Sequence, residues 1–383
     1  MKRRRMFVGG LALSRLAFGL AINEVVISNF SGGSYAPGGR GGNAATSLLR
    51  WDTGWYLGLA NHWYPFERST VFFPGYVVLV RLAESVTFHR LPLDASGLGV
   101  AWLAFLLSVP LVYAAIRTMC SEATTRLATA LYVWSPGSVF LLSAYPEGAF
   151  VALSALTVLL ISKDRLLPAA LVAGIATAFS PLGVCLSVAV VVAVLPRRAY
   201  WRTGLYGAIS ISGFLAWGAW LAVRYGNPIT FVTEQGTFNR RTVFPFSSLI
   251  GVLRDLIAKP PPGISHSNFS IVRVVNVSFE LVALFVFLYY LVSVVSAKRR
   301  RLPLSFCVYS ALALLIPAMS TQVFYGVDNP EAAVRLTTDS LGIYPVLAGV
   351  LLRRRFFLVP GLVIWIGLAA FCEALFVKGW YFT

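Results

Sequence analysis

The segment Arg50–Tyr64, RWDTGWYLGLANHWY, contains one acid, one histidine and five Trp or Tyr side chains. In a helix, Trp55 and Tyr56 would follow Asp52 at i+3 and i+4 and share its face. An acid flanked by rings is typical of a sugar site, because rings stack on apolar sugar faces and a carboxylate accepts hydrogen bonds from hydroxyls. The same rings are typical of an aromatic belt at a membrane interface, which leaves the acid without a role. From the residue types alone, both interpretations stay open.

The rest of the sequence indicates an integral membrane protein. Hydrophobic residues make up 57% and charged residues 12% of the 383 residues, and the mean hydropathy is +0.74. Apolar runs that could cross a hydrocarbon core of ~30 Å recur along the whole chain. The first follows the basic residues Lys2–Arg5 and lacks a small-residue cleavage site, so we interpret it as an uncleaved helix. The net charge of +17 comes from short basic loops, so no nucleic acid partner is expected.

The apolar segments and basic loops predict an all-α polytopic fold with about eleven transmembrane helices in a single domain, 1–383. The N-terminus is expected in the cytoplasm and the C-terminus outside. A large external loop is predicted at 225–270. The predicted spans are 7–28, 97–116, 127–145, 147–162, 166–180, 182–196, 203–224, 271–296, 303–322, 338–352 and 356–377.

Segment 72–88 is apolar enough to be a further span, but counting it as a crossing would put the following basic loops outside. It carries Arg81, Glu84 and Ser85 on one helical face, which is typical of an amphipathic helix in the membrane interface. We therefore expect 29–96 to be one long external loop with juxtamembrane helices. The candidate site segment lies in this loop.

Further segments carry recognisable motifs in a fixed order. RWDTGWYLGLANHWY is followed by VFFPGY at Val71–Tyr76, by SPGSVFLLSAYPEGAF at Ser135–Phe150 and by GNPITFVTEQ at Gly226–Gln235. The last, RLTTDSLGIYPVLAGVLL, begins at Arg335. Together they resemble the PIG-V family, the second mannosyltransferase of GPI-anchor assembly, and its prokaryotic relatives.

The resemblance implies a GT-C glycosyltransferase. The Gly-, Ala- and Val-rich chain without long hydrophilic insertions indicates a prokaryotic member of the family. The implied reaction is inverting transfer of mannose from polyprenyl-phosphate-mannose to a lipid-linked or cell-envelope glycan on the extracytoplasmic face. The donor, the acceptor and membrane lipids are the expected partners. No metal is expected, because the first loop has no DxD pair, arginine alone can stabilise a monophosphate leaving group, and the four cysteines show no metal-ligand spacing.

Such a reaction needs a base for the acceptor proton and cations for the departing phosphate. Asp52 is the candidate base; alternatively, it is a helix N-terminal acid stabilised by the helix dipole. Glu147 could bind an acceptor hydroxyl or pair with an arginine. Arg335, Arg240 and Arg241 are candidates for the phosphate, although Arg240 and Arg241 could instead contact lipid headgroups. The other candidate donor- or acceptor-binding residues are Arg50, Trp51, Trp55, Tyr56, His62, Tyr64, Phe73, Pro74, Tyr145 and Gln235. For His62, contact with the donor phosphate and helix capping are equal alternatives.

Two other functions compete with this one. A transporter or flippase for a lipid-linked substrate could use intramembrane acids such as Glu24, Glu280 and Glu373, but no inverted repeat is visible. A non-catalytic GT-C-like scaffold subunit would have no need of Asp52. A transporter should move its substrate without consuming it, and a scaffold should tolerate the loss of Asp52.

Overall fold

The computed structural model describes residues 2–29, 42–257, 266–298, 300–324, 327–330 and 333–379. It is mostly helical, which confirms the predicted all-α character. The helices are α1 Lys2–Asn29, α2 Thr53–Asn61, α3 Pro74–Val86, α4 Leu93–Arg117, α5 Glu122–Val133, α6 Ser138–Leu142, α7 Glu147–Ser162, α8 Leu166–Ala176, α9 Gly183–Val194, α10 Tyr200–Ser210, α11 Ser212–Tyr225, α12 Thr230–Thr233, α13 Ser247–Ile257, α14 His266–Val295, α15 Leu304–Leu315, α16 Ala333–Thr338, α17 Ile343–Arg353 and α18 Leu358–Val377.

Several of these helices are suited to a membrane. In the described part of the chain, four segments are long and apolar enough to cross a bilayer: Arg4–Asn29, Leu93–Arg117, Arg273–Val295 and Arg355–Val377. The pair α10 and α11, bent by 56°, makes a fifth if it is one broken span. Shorter apolar helices, α7, α8 and α9 among them, pack beside these. The protein is therefore an integral membrane protein, and the count of eleven spans stays a prediction.

Three of the predicted spans differ in detail from the helices observed. The span predicted at 127–145 consists of α5 and α6, separated around Pro136, whose ring nitrogen cannot donate a helical hydrogen bond. The span predicted at 303–322 ends as α15 at Leu315, and Pro317 follows. The span predicted at 203–224 is bent where α10 meets α11. In each case a local break shortens the continuous helix.

A small antiparallel sheet joins two segments that are distant in the sequence, and it was not predicted. Its strands are β1 Arg240–Thr242, β2 Ser320–Phe324 and β3 Val327–Pro330, in the order β1-β2-β3. Arg240 pairs with Gln322 between the first two strands. The sheet therefore joins the loop after α12 to the segment that follows α15.

The segment 29–96, which is predicted to be the first external loop, contains helices among its described residues. α3 covers most of the expected amphipathic segment, and its Tyr76, Val77 and Val80 are buried while Arg81 is exposed. The Gly75 amide donates to the Ala178 carbonyl at 2.7 Å. A Cβ on Gly75 would lie 2.5 Å from the Phe179 ring, so only glycine lets the start of α3 approach this closely. This contact fixes the first loop against the turn between α8 and α9.

Candidate active site

Arg335 joins two carboxylates that are far away in the sequence. Its Nη1 donates to Asp52 Oδ2 at 2.6 Å, and its Nε donates to Glu147 Oε1. The side chain of Arg335 is 11% exposed, that of Asp52 is 17% exposed and that of Glu147 is 3% exposed. Burial alone would lower the pKa of Arg335, but the charges of Glu147 and Asp52 raise it well above its usual range. The guanidinium therefore stays charged and holds both acids.

Both acids stand at helix N-termini. Asp52 is the N-cap residue of α2, and Glu147 is the first residue of α7. The exposed backbone N–H groups of a helix start favour negative charge nearby. Among the described residues, the Asp52 side chain does not cap its own helix but points to Arg335. The predicted alternative of pairing with an arginine is therefore observed for Glu147, and Asp52 combines a helix N-terminal position with an ion pair.

Tyr145 supports the turn that carries Asp52. Its hydroxyl accepts from the Asp52 amide at 3.0 Å and donates to the Arg50 carbonyl at 3.2 Å. Between them, Trp51 has a φ of 55°, in the left-handed region that costs a non-glycine residue about 1–3 kcal/mol. The Tyr145 ring also lies under the Arg335 guanidinium, 4.8 Å from ring centroid to Cζ. Tyr145 thus connects the strained turn to the ion-pair cluster.

The cluster opens onto a cavity of about 260 Å³. Its walls come from the first external loop, the starts of α7 and α9, the loop after α12, and the segment from α15 to α17. The lining residues are Asp52, Tyr56, Val71, Phe72, Phe73, Pro146, Glu147, Phe150, Phe179, Ser180, Pro181, Leu182, Gln235, Arg240, Ile316, Pro317, Ser320, Arg335, Leu336 and Asp339. Apolar rings thus surround a few polar groups, which is typical of a site for a small ligand.

A second cation lines the cavity. Arg240 begins β1, and its Nη1 donates to Gln235 Oε1 at 3.1 Å. Its guanidinium also lies near the Phe238 ring, 5.7 Å from the centroid. Arg241, the next residue, is exposed and is not part of the wall. The sequence-predicted pair of arginines therefore divides into one that lines the cavity and one that does not.

Several of the predicted binding residues support the wall without forming it. Trp55 stacks on Phe72 with ring centroids 5.2 Å apart. The buried Tyr64 donates to the Phe72 carbonyl at 2.6 Å, and Pro74 starts α3. Arg50 is buried, which lowers the pKa of its guanidinium, and Trp51 is half-buried. None of these five lines the cavity.

His62 lies at the end of α2 opposite to Asp52. It is the C-cap residue, exposed, and its amide donates to the Gly58 carbonyl at 2.7 Å. Because α2 ends at Asn61, His62 lies just outside the helix that Asp52 precedes. His62 does not line the cavity, and its observed position agrees with the capping alternative.

Residues that the motifs did not single out complete the wall. Ser180 and Pro181 come from the turn after α8, and Ser320 from the start of β2. Asp339 directly follows α16 and is only 4% exposed. Its spacing of four residues from Arg335 was the available signal in the sequence, because a helix that continued through both would place them on one face.

The intramembrane acids considered for a transporter lie elsewhere. Glu373 Oε2 is 2.7 Å from Arg15 Nη2, and both side chains are 1% exposed. Glu280 accepts from Ser248, and Glu24 is exposed on α1. None of the three lines the cavity with Asp52.

Comparisons with known proteins agree with the motifs. Residues 42–202 match a family model described as Mannosyltransferase (PIG-V). GPI mannosyltransferase pigv-1 of Caenorhabditis elegans is 32% identical over an alignment of 120 residues, and the match covers 28% of this chain and 18% of that protein. The chain thus matches less than a fifth of the length of this curated relative. The resemblance to PIG-V is confirmed, and the matched residues include Asp52 and Glu147.

Solved structures of low similarity were also found. One is the oligosaccharyltransferase AglB from Archaeoglobus fulgidus in complex with an inhibitory peptide and a dolichol-phosphate, with 12% identity and a TM-score of 0.43. The apo form of the Archaeoglobus fulgidus oligosaccharyltransferase gives 12% identity and a TM-score of 0.46. Each comparison covers 96% of this chain and 55% of the other.

Proposed function

We propose that this protein is an inverting GT-C glycosyltransferase of the membrane. It transfers mannose from polyprenyl-phosphate-mannose to a hydroxyl of a lipid-linked or cell-envelope glycan on the extracytoplasmic face. The observation that carries the proposal is the cavity in which Asp52 meets Glu147 and Arg335. The match of residues 42–202 to a mannosyltransferase family supports the sugar and the reaction type.

In the proposed reaction, the acceptor oxygen attacks the anomeric carbon while the bond from that carbon to the phosphate oxygen breaks. Asp52 takes the proton of the acceptor hydroxyl, and polyprenyl phosphate departs with the bonding electron pair. One displacement on the face opposite to the leaving group inverts the anomeric centre. The base must lie within hydrogen-bond reach of the acceptor oxygen, which requires a fixed carboxylate.

Arg335 and Tyr145 supply that fixed position. Arg335 engages Oδ2 of Asp52, and no hydrogen bond to Oδ1 occurs within the described ranges. Tyr145 holds the backbone of Asp52 through its amide. With one oxygen and the backbone fixed, the carboxylate presents Oδ1 for proton transfer.

We place the departing phosphate at Arg240, which lines the cavity beside Gln235. Arg335 is instead assigned to the two acids, because its guanidinium donates to both Asp52 and Glu147. A departing phosphate monoester at this wall would gain a charge-assisted contact. Arginine then provides the stabilisation, and transfer is proposed to need no metal.

The decisive experiment measures sugar transfer by the purified protein in lipid, from polyprenyl-phosphate-mannose to a panel of lipid-linked acceptors. Wild type is compared with Asp52→Asn, with and without EDTA. We expect wild-type turnover that EDTA does not change and a loss of about 10²–10⁴-fold in a folded Asp52→Asn protein. Equal turnover of the two proteins would remove Asp52 as the base.

The same assay separates the alternatives. Uptake of the mannosyl lipid across a vesicle membrane without its consumption would establish a transporter. A folded wild type that neither transfers nor transports, with Asp52→Asn unchanged in any cellular function, would establish a scaffold. EDTA inhibition that Mg²⁺ or Mn²⁺ reverses would overturn metal independence.

A further inference from the structure

Asp339 is a buried acid in the cavity wall that the proposed reaction does not use. It is 4% exposed, and its Oδ1 is buried without a hydrogen-bond partner among the described residues. Leaving a buried polar group unpaired costs about 1–3 kcal/mol, and more for a charged group. Buried polar groups are nearly always paired, so an orphaned carboxyl at a cavity wall points to a ligand that pairs with it.

The segment that carries Asp339 is fixed by hydrogen bonds at the residue before it. The Tyr344 hydroxyl donates to the Thr338 carbonyl at 2.8 Å, and the Thr338 hydroxyl donates to the Val334 carbonyl at 2.8 Å. Ser135 Oγ lies 3.4 Å from the Thr338 hydroxyl. The backbone just before Asp339 is thus tied to both α16 and α17, and this fixes the position from which Asp339 lines the cavity.

The charges around Asp339 indicate which chemistry it would bind. Asp52 and Glu147 share the single guanidinium of Arg335, so this half of the cavity has more acids than cations. A phosphate would be repelled here and is better accommodated near Arg240. In the described residues, no group of three His, Cys, Asp or Glu side chains is arranged to hold a metal ion. A neutral ring rich in hydroxyl groups fits this wall best.

We propose that Asp339 binds a hydroxyl group of the sugar held in the cavity and so determines which sugar is accepted. This inference rests on the proposed glycosyltransferase function. Asp339 would act beside the reaction and not in it: Asp52 moves the proton, and Asp339 positions the ring. A site built to pair with a hydroxyl rejects analogues that lack it, because its own polar group is then left unpaired.

The test pairs enzyme variants with deoxy sugars. Asp339→Ala and Asp339→Asn are compared with Ser340→Ala, a matched control whose side chain is also buried but does not line the cavity. One arm uses polyprenyl-phosphate donors carrying mannose or a 2-, 3-, 4- or 6-deoxy form. The other uses acceptors that each lack one sugar hydroxyl. All variants are first checked for folding by thermal unfolding in detergent.

We expect Asp339→Ala to lower kcat/KM for the complete sugar about 10–100-fold, as for the loss of one hydrogen bond to a carboxylate. The kcat/KM of wild type should fall by a similar factor with one deoxy analogue. The kcat/KM of Asp339→Ala should be the same with that analogue as with the complete sugar. If the deoxy analogue with this behaviour is a donor, Asp339 contacts the donor sugar. If it is an acceptor, Asp339 contacts the acceptor sugar. Ser340→Ala should behave as wild type throughout.

Two results would overturn the inference: full activity of Asp339→Ala, or the same loss with every analogue in both arms, which indicates only a structural role. Failure of the proposed function has a different signature, namely a folded wild type without turnover. In that case the same donor series is measured as thermal stabilisation of the protein. Stabilisation lost in Asp339→Ala but kept in Ser340→Ala would support the sugar contact, and equal stabilisation would reject it.

Discussion

At the scale of single residues, the two arginines at the start of β1 give a matched comparison. Arg240 lines the cavity and Arg241 does not. We expect Arg240→Gln to lower kcat about 10–10³-fold, because a donor that faces the departing phosphate is removed. Arg241→Gln should leave kcat within about twofold. The two purified variants are compared by measuring steady-state sugar transfer with polyprenyl-phosphate-mannose as the donor.

The variant Arg240→Lys is a control that keeps the positive charge but not the planar guanidinium group. Arg240→Lys should retain part of the activity, because an ammonium still attracts phosphate but cannot bind two oxygens side by side. If the transfer activities of Arg240→Gln and Arg241→Gln are reduced equally, and anionic lipid in the membrane changes the activity of both variants, then these arginines contact lipid headgroups instead.

The sequence allowed Asp52, Glu147 and Arg335 to be chosen as candidates, but not their arrangement. Arg335 lies 188 residues from Glu147 and 283 from Asp52. No local spacing relates such positions, so only the folded chain brings them together. Asp339 was not among the candidates, because an acid near a helix end is common in sequences. Only its burial in the folded chain distinguishes it. For His62 the sequence left two alternatives open, and its position at the C-cap of α2 agrees with the capping alternative.

At the scale of elements, the position of Arg335 depends on how closely α16 approaches the residues before α6. A Cβ on Gly137 would lie 2.5 Å from the Val334 carbonyl oxygen and 2.2 Å from the Thr338 hydroxyl. Gly137 has a φ of −84°, which alanine also adopts, so only the contact excludes a side chain. This glycine therefore sets the distance between α6 and α16.

Gly137→Ala tests this dependence. We expect the substitution to displace α16, to lower stability by about 1–3 kcal/mol and to reduce sugar transfer, because the Arg335 contacts stretch. Gly58→Ala is the matched control: it lies within α2, and nothing is within 4 Å of its Cβ position. That variant should be unchanged or more stable by about 0.5–1 kcal/mol. Thermal unfolding and turnover are measured for both, and equal behaviour of the two would contradict the contact argument.

The helical elements were largely predictable, and their interruptions less so. Long apolar runs gave α1, α4, α14 and α18 within a few residues of the predicted spans. The break between α5 and α6 carries a Ser-Pro-Gly signal that favours an interruption, yet the run looked long enough to be one span. The sheet was missed because three short strands of mostly polar residues show no alternation that distinguishes them from loops.

At the scale of the whole molecule, the proposed topology depends on segment 72–88. α3 buries one side against the protein and ends at Val86. If it lies in the membrane interface, the chain is on the same side of the membrane before and after it. If it crosses, every basic loop that follows changes side, and the orientation expected from those loops would be reversed.

Two exposed positions decide between these arrangements. Glu67 precedes α3 and Arg90 follows it, and both are exposed. Single cysteines at Glu67→Cys and Arg90→Cys are made in a Cys120→Ser background, because Cys120 is the only native cysteine that is not buried. We expect a membrane-impermeant maleimide to label both positions in intact cells, and a cysteine at the exposed Arg202 only after permeabilisation. Labelling of Glu67→Cys without Arg90→Cys would mean that α3 crosses the membrane. Labelling of Arg202→Cys alone in intact cells would invert the whole topology and move the cavity of Asp52 to the cytoplasmic face.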